Sequence, residues 1–458
     1  MKTKNKSERL GTEPIIPLLI KLSIPSIIAM FIQAMYNVVD SIYVGRLSKE
    51  ALAALSLAFP IQIILISIAV GTGVGTSSYI SRQLGRGNRE QAASAAKHVL
   101  VITLIYGVIF GIGGYLLSDN LIGLFTNDQQ LIELGTEYIS IILLGSIALF
   151  LPIIGNNILR GEGNTFLPMV TMLIGAIINI VLDPFIIYGL GPFPKLGIAG
   201  AAIATVFSRI ISGIFLLFIL FSGKNELKID FKKFKPDFKI IKEIYIVGLP
   251  AIIMQSLASF MIAVLNIVLD SYSATAIAAG GIYFKLQSFV FMPVFGLNQG
   301  YMPIMGYNYG HNNPERMKKT IKSAFIVAIS FTVLGFILFQ IFPRQLASLF
   351  TTDPELIRIG SMALKRISLA FPIIGPAIII STTFQAIGKG MPSLVLSVAR
   401  QLLILIPAFI LLSKYFGLNA VWYAFPIAET ISFILGAVWL KYVLGNVFTR
   451  LKTVQSSK

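Results

Sequence analysis

Residues 25–135 of this 458-residue chain recur 225 positions later as residues 250–360, in unbroken register and almost wholly apolar sequence. Pro25, Ile27 and Ile28 return as Pro250, Ile252 and Ile253, and Ala53, Ala54, Phe59 and Gln62 return as Ala278, Ala279, Phe284 and Gln287. Gly71, Gly75, Gly85, Asn88 and Glu90 match Gly296, Gly300, Gly310, Asn313 and Glu315, and Leu124-Phe125-Thr126-x-Asp128 matches Leu349-Phe350-Thr351-x-Asp353. So long a repeat restricts the fold to two copies of one architecture. In a sequence this oily, the pattern marks a membrane carrier built from two bundles, with its substrate route between them.

With 55% hydrophobic and 12% charged residues, the chain cannot present an exterior of ordinary polarity to water, so the exterior must be lipid. Runs such as Ile61–Ser81, Val99–Leu117 and Phe325–Ile341 approach the roughly 20 residues that cross a ~30 Å hydrocarbon layer as helix. Barrel strands alternate over about 10 residues, which these uniform runs do not. Breaks at Gly, Pro, Asn and charge clusters predict an all-α membrane protein of twelve transmembrane helices, near 15–43, 51–81, 94–118, 131–158, 165–189, 197–221, 243–270, 275–306, 320–342, 356–386, 392–413 and 417–443. Six spans per copy make this a parallel repeat of two pseudo-symmetric six-helix lobes, with a pseudo-twofold axis along the membrane normal. The expected divisions are 1–225, a linker at 226–242, and 243–458.

The net charge of +17 tests the span count, because Lys and Arg gather in alternate, cytoplasmic loops. The termini and even-numbered connections hold 26 of the 37 basic residues, the odd-numbered ones six, and the rest fall within spans. Both termini are therefore expected in the cytoplasm and the protein in the cell membrane. The basic balance is topological, with no implication of nucleic acid. Ser222–Glu243, rich in Lys, reads as a solvated tether that also fixes topology. The polar N-terminal stretch precedes an apolar run with no small-residue cleavage site after it, so that run reads as a retained span. The absence of Cys excludes a disulfide framework. Asp128 and Asp353, the second followed by Pro354 and Glu355, read as helix caps.

Ionisable groups inside spans are costly and mark function. Asp40 lies in span 1 with Gln33, Tyr36 and Asn37 on the same helical face, a polar stripe that must line protein or water. Span 5 carries Asp183, with Asn179 one turn earlier and Pro184 directly after; the proline deprives the Ile180 carbonyl of its helical donor. Asp40 and Asp183 each lie fifteen residues beyond a proline (Pro25, Pro168), and Thr205 on the returning span 6 reaches a comparable depth. Carboxylate, amide, hydroxyl and carbonyl oxygens gathered in a low-dielectric setting suit either a hard cation or a proton.

These residues resemble the multidrug and toxic compound extrusion (MATE) transporters, most closely the MepA-like bacterial branch. The likeness covers nearly the whole chain. It rests on Val39-Asp40-Ser41-Ile42-Tyr43-Val44-Gly45 followed by Ala51-Leu52-Ala53-Ala54, on Arg160-Gly161-Glu162-Gly163-Asn164-Thr165, on Asn179-Ile180-Val181-Leu182-Asp183-Pro184, and on the run from Gly300-Tyr301-Met302-Pro303 to Gly310. The resemblance implies two lobes about a central cavity and an antiporter that exports amphipathic, often cationic compounds, driven by H⁺ or Na⁺, with the antibiotic resistance such export confers. It also implies that Asp40, Asn179, Asp183 and Thr205 carry the coupling ion, as metal ligands if that ion is Na⁺, with Gln33 and Tyr36 lining the same pocket. No other cofactor is expected, and the chain is expected to act as a monomer in membrane lipid. One departure stands out. Some relatives use acids in spans 7 and 10, where this chain offers only Gln255, Ser256 and Gln385 centrally, so coupling is expected in the first lobe.

The second lobe carries Lys285 in span 8, Arg400 in span 11 and Glu429 in span 12 as a possible polar site. Arg400 and Glu429 reach similar depth on neighbouring antiparallel helices and read as an ion pair; Lys285 has no partner visible in sequence. Gly71-Thr72-Gly73-Val74-Gly75 lacks the strand and the Lys-Ser/Thr of a nucleotide loop, and reads as small residues that let helices approach. No Walker A motif occurs, and His98 and His311 form no metal-ligand cluster, so neither an ATP-driven pump nor a metalloenzyme is expected. Phe284, Phe289, Phe291, Met292, Phe371 and Phe384 suggest a soft aromatic lining. A lipid-linked oligosaccharide flippase of the same superfamily is the alternative that Lys285 and Arg400 keep open. An intramembrane enzyme would need a nucleophile paired with a base, and none is visible.

Overall fold

The computed structural model describes residues 7–456 apart from Lys224 and Lys233; the other terminal residues, including Lys2, Lys4, Lys6 and Lys458 of the charge count, lie outside the described residues. Among the described residues every regular element is a helix. Lipid offers no partner for backbone N–H and C=O groups, and a helix satisfies them within itself. Among the described residues, eleven continuous spans are long and apolar enough to cross a membrane. They are α1 (Ile15–Gly45), α2 (Lys49–Gly85), α3 (Arg89–Gly123), α5 (Phe166–Tyr188), α6 (Gly197–Phe221), α7 (Phe238–Asp270), α8 (Ala274–Gly310), α9 (Pro314–Ile341), α10 (Pro354–Ala386), α11 (Gly390–Val421) and α12 (Ala424–Leu451). The twelfth, α4, is Gln129–Leu144 and Ser146–Gly161, bent by 50° about Gly145. The last boundary differs from expectation. Gly417 takes φ 70° and breaks α11, but one more helical turn follows to Val421, so α12 starts at Ala424 and not near 417.

Repeat-equivalent residues do the same local work. Ser48 and Ser273 each cap the following helix, accepting from Ala51 N–H at 2.9 Å and Ala276 N–H at 3.1 Å. Asp128 and Asp353 cap as expected, accepting from Gln130 N–H and Glu355 N–H, each at 2.9 Å. Such caps satisfy helix-end donors and are each worth about 1 kcal/mol.

Contacts divide the chain into one unit of residues 1–9 and 28–252 and another of residues 10–27 and 253–458. The division therefore falls inside α1 and α7 and not at the 226–242 linker. Its cause is close packing at glycine. In the first unit a Cβ on Gly71 or Gly75 would strike the α7 backbone at Gly248 and Ile244, so the opening half of α7 is locked to α2. In the second, a Cβ on Gly296 or Gly300 would strike Ile27 and Leu22, locking the opening half of α1 to α8. Gly71 and Gly75 are thus the close-approach residues the sequence suggests.

The linker is not a solvated tether, because polar contacts pin it to the first unit. Glu226 accepts from Ser7 N–H at 2.8 Å and from the Ser7 hydroxyl at 2.5 Å and pairs with Arg89 at 3.3 Å; Leu227 N–H donates to Glu162, and Arg82 pairs with Glu243 at 3.3 Å. The second unit is filled by aromatic side chains, with Phe291 and Phe339 against Phe371 and Phe409 against Phe425, at ring separations of 5.1–5.3 Å. Phe291, Phe371 and Phe384 are buried in this unit's interior, and Phe289 is exposed.

Candidate functional site

The first unit's polar cluster depends on the turn between α5 and α6. Gly189 ends α5 in the left-handed conformation (φ 73°), and α6 packs back so tightly that a Cβ on Gly200 would lie 2.7 Å from the Ile186 carbonyl oxygen. That closeness sets Thr205 of α6 beside Asn179 of α5. The Asn179 side-chain amide donates to Asp183 Oδ1 at 3.1 Å and to the Thr205 hydroxyl oxygen at 3.4 Å. The Tyr188 hydroxyl donates to the Tyr43 carbonyl at 2.7 Å and ties the end of α5 to the end of α1. Asp40 then faces the cluster, and the charges of Asp40 and Asp183 act on each other. Tyr36 lies within electrostatic reach of Asp40 and Asp183.

All four residues expected to hold an ion are buried: Asp183 is 0%, Asn179 1%, Thr205 2% and Asp40 8% exposed. Three of their oxygens, Asp40 Oδ1, Asn179 Oδ1 and Asp183 Oδ2, are buried without a hydrogen-bond donor. Oxygens so placed suit a small cation or a proton, and leaving them bare in a low dielectric is costly. Among the described residues no three His, Cys, Asp or Glu side chains gather as metal ligands. A cation here would rely on two carboxylates supplemented by neutral amide and hydroxyl oxygens, a donor set of Na⁺ type. Gln33 and Asn37, on the same stripe as Asp40, are exposed.

Two participants escape the sequence reading. Arg209 lies one turn after Thr205 on α6, and its charge reaches both Asp40 and Tyr36. The signal was available, since the i, i+4 spacing from Thr205 puts both on one face. Tyr138 of α4 is 2% exposed and within electrostatic reach of Asp40 and Arg209, and its hydroxyl accepts from Gln62 at 3.5 Å. Tyr138 carries no such signal, because its neighbours Asp40, Gln62 and Arg209 are far from it in sequence.

In the second unit Arg400 donates to Glu429 at 2.6 Å, the pair expected from depth alone. Arg400 sits where α11 widens into a π-helical stretch, Ala399–Leu405. The second carboxylate oxygen of Glu429 is buried without a donor. Lys285 stands apart from this pair, its ammonium 5.9 Å from the centre of the Phe350 ring.

Comparison with known proteins matches this architecture. The MatE family model covers residues 25–185 and again 250–410, the same 225-residue offset as the internal repeat. The chain is similar to an FAD transporter of Shewanella oneidensis, 31% identical over 91% of this chain and 92% of that one. It is similar also to the multidrug export protein MepA of Staphylococcus haemolyticus, 30% identical over 93% of each. A solved structure of a multidrug resistance MATE family transporter of the MOP superfamily, in an outward-facing conformation, superposes with a TM-score of 0.92 at 30% identity, covering 98% of this chain and 99% of its own. With the family model matching both halves, the chain belongs to the MatE family and is a multi-pass membrane transporter, not an enzyme.

Proposed function

We propose that the protein is a secondary active multidrug exporter of the cell membrane, working as a monomer with both termini in the cytoplasm, that exchanges H⁺ or Na⁺ for amphipathic, often cationic compounds by alternating access. The observation that carries this reading is the buried group of Asp40, Asn179, Asp183 and Thr205, three of whose oxygens have no donor. Arg209 adds a charge argument. The Arg209 guanidinium acts on Asp40, so with Asp40, Asp183 and Arg209 all ionised the group keeps one unit of negative charge, which one proton or one monovalent cation balances. An ion shifts the conformational equilibrium only by its differential affinity for the two states. Charge neutralised at Asp40 and Asp183 alters what α1 and α5 pack against, and Pro25 and Pro184 are where those helices can bend. The multidrug export proteins among the relatives supply the substrate class. The test is ethidium or fluoroquinolone accumulation in cells, with imposed H⁺ or Na⁺ gradients. Asp40→Asn and Asp183→Asn are expected to abolish gradient-dependent extrusion, and variants that still extrude like the parent overturn the reading.

A second reading takes its substrate from the FAD transporter relative, making the cargo an anionic dinucleotide. Export of flavin dinucleotide from loaded vesicles, unaffected by ethidium, would select it. The flippase reading keeps less support, because Arg400 is paired with Glu429 and only Lys285, exposed and near Phe350, keeps an unpaired charge in the second unit's proposed polar site.

A further inference from the structure

Where α3 and α7 begin, the first unit holds a cavity of about 580 Å³ between the opening turns of α3 and the end of the linker. Gln91, Ser94 and Lys97 form one wall, and Lys235 and Lys239 line the other. Lys97 is half-buried, and Lys235 and Lys239 are exposed. Asp237 is the one acid in the lining, and its Oδ1 is engaged at 2.9 Å by the Lys239 N–H. Three lysines against one acid leave the cavity with a net positive charge.

His98 holds the linker wall in place. Its Nδ1 lies 2.7 Å from the Ser94 carbonyl oxygen, which has no proton to give, so Nδ1 carries the hydrogen and donates. Nε2 is therefore the acceptor, and it takes the Asp237 N–H at 2.7 Å. The imidazole is 2% exposed and packs against Phe234 with ring centres 4.9 Å apart. The lysines thus sit on a wall with a defined position and not on a loose tether.

We propose that this cavity binds the phosphate of an anionic phospholipid headgroup. The cations, with the Ser94 hydroxyl and the Gln91 amide, suit phosphate oxygens. Lipid is the source because Phe238, also in the lining, is 80% exposed at the start of membrane span α7, with Phe231 39% exposed nearby. Aromatic and basic side chains together are what the headgroup layer selects. The site is independent of the transport reading, since none of its residues belongs to the Asp40–Asp183 cluster.

The test uses the full-length protein in nanodiscs of phosphatidylcholine with graded phosphatidylglycerol, with retained lipid counted by native mass spectrometry. Lys97→Gln, Lys235→Gln and Lys239→Gln are each expected to weaken phosphatidylglycerol retention by about fivefold, the scale of one lysine at an anionic surface. Lys322→Gln, the repeat-equivalent of Lys97 and not among the residues that line this cavity, is the control and is expected to change nothing. In a second arm, glycerol 3-phosphate and inorganic phosphate compete with the lipid. Retention indifferent to the three lysines overturns the site. Displacement by either soluble phosphate at low millimolar concentration overturns the lipid assignment in favour of a soluble phosphorylated ligand.

Discussion

The two repeats agree in their scaffold and disagree in their chemistry. Caps recur at Ser48 and Ser273 and at Asp128 and Asp353, and the helix-locking glycines recur as Gly71 and Gly75, Gly296 and Gly300. The charged groups do not recur. Asp40, Asn179 and Asp183 correspond to Leu265, Ile404 and Ala408, whereas Arg400 and Glu429 correspond to Gly175 and Ala204. Both polar sites nevertheless use the same helix pair, α5 with α6 in one unit and α11 with α12 in the other. A duplicated bundle keeps what holds it together and is free to vary what it does with its interior. The first unit spends that freedom on a cluster with charge left over, the second on a pair that neutralises itself.

If that contrast is functional, the largest effects come from the first unit's acids. Asp183→Asn keeps the size of the side chain and removes the charge, so gradient-driven ethidium efflux should fall by about tenfold or more, the scale of a coupling free energy of roughly 1–3 kcal/mol. Swapping the exchange in the other unit, with Glu429→Gln, should leave the gradient dependence intact. A Glu429→Gln protein that loses its ion dependence would erase the contrast. Arg209→Gln comes next. It removes the guanidinium that competes with an incoming cation for Asp40, so the cluster should bind H⁺ or Na⁺ more tightly and transport should reach half-activation at a lower concentration than the parent, read as a shift in proteoliposomes. An unchanged half-activation would remove Arg209 from the charge balance.

Much of the arrangement was legible in the sequence, because its causes are local or periodic. Twelve spans follow from hydropathy, and the joining of Asn179 with Thr205 follows from equal depth on antiparallel helices. So does the Arg400–Glu429 pair. The missing parts have non-local causes. The placement of the α1 opening half with the second unit, and of the α7 opening half with the first, depends on which helix meets Gly296 or Gly71, and a glycine does not name its neighbour. The pinned linker depends on Ser7, Arg89, His98 and Glu162, far apart in sequence and unmarked by any motif. Buried Phe371 and exposed Phe289 look alike in an oily run.

The second unit's pair offers a stability test that the first unit's cluster cannot. Removing Arg400 alone, as Arg400→Met, strands a Glu429 carboxylate whose other oxygen already lacks a donor, and should cost about 3 kcal/mol or more. The double variant Arg400→Met with Glu429→Met takes both charges out of a low dielectric, and should return close to parental thermal stability in detergent. A double variant as unstable as the single one would mean that the pair does more than neutralise itself.

The smallest effect probes the shared scaffold. Ser48 and Ser273 hold equivalent positions, both in extended backbone, and each accepts one N–H three residues on, so each Ser→Ala change removes the same hydrogen bond. Each should cost about 1 kcal/mol, and by similar amounts. Because the two caps sit in different units with no shared partners, the double variant should show their sum. Neither should alter ion dependence, since Ser48 and Ser273 stand outside both polar clusters. A change in gradient dependence on losing the Ser48 cap alone would show that α2 transmits the state of Asp40, and the separation drawn between conserved scaffold and divergent chemistry would have to be abandoned for the first unit.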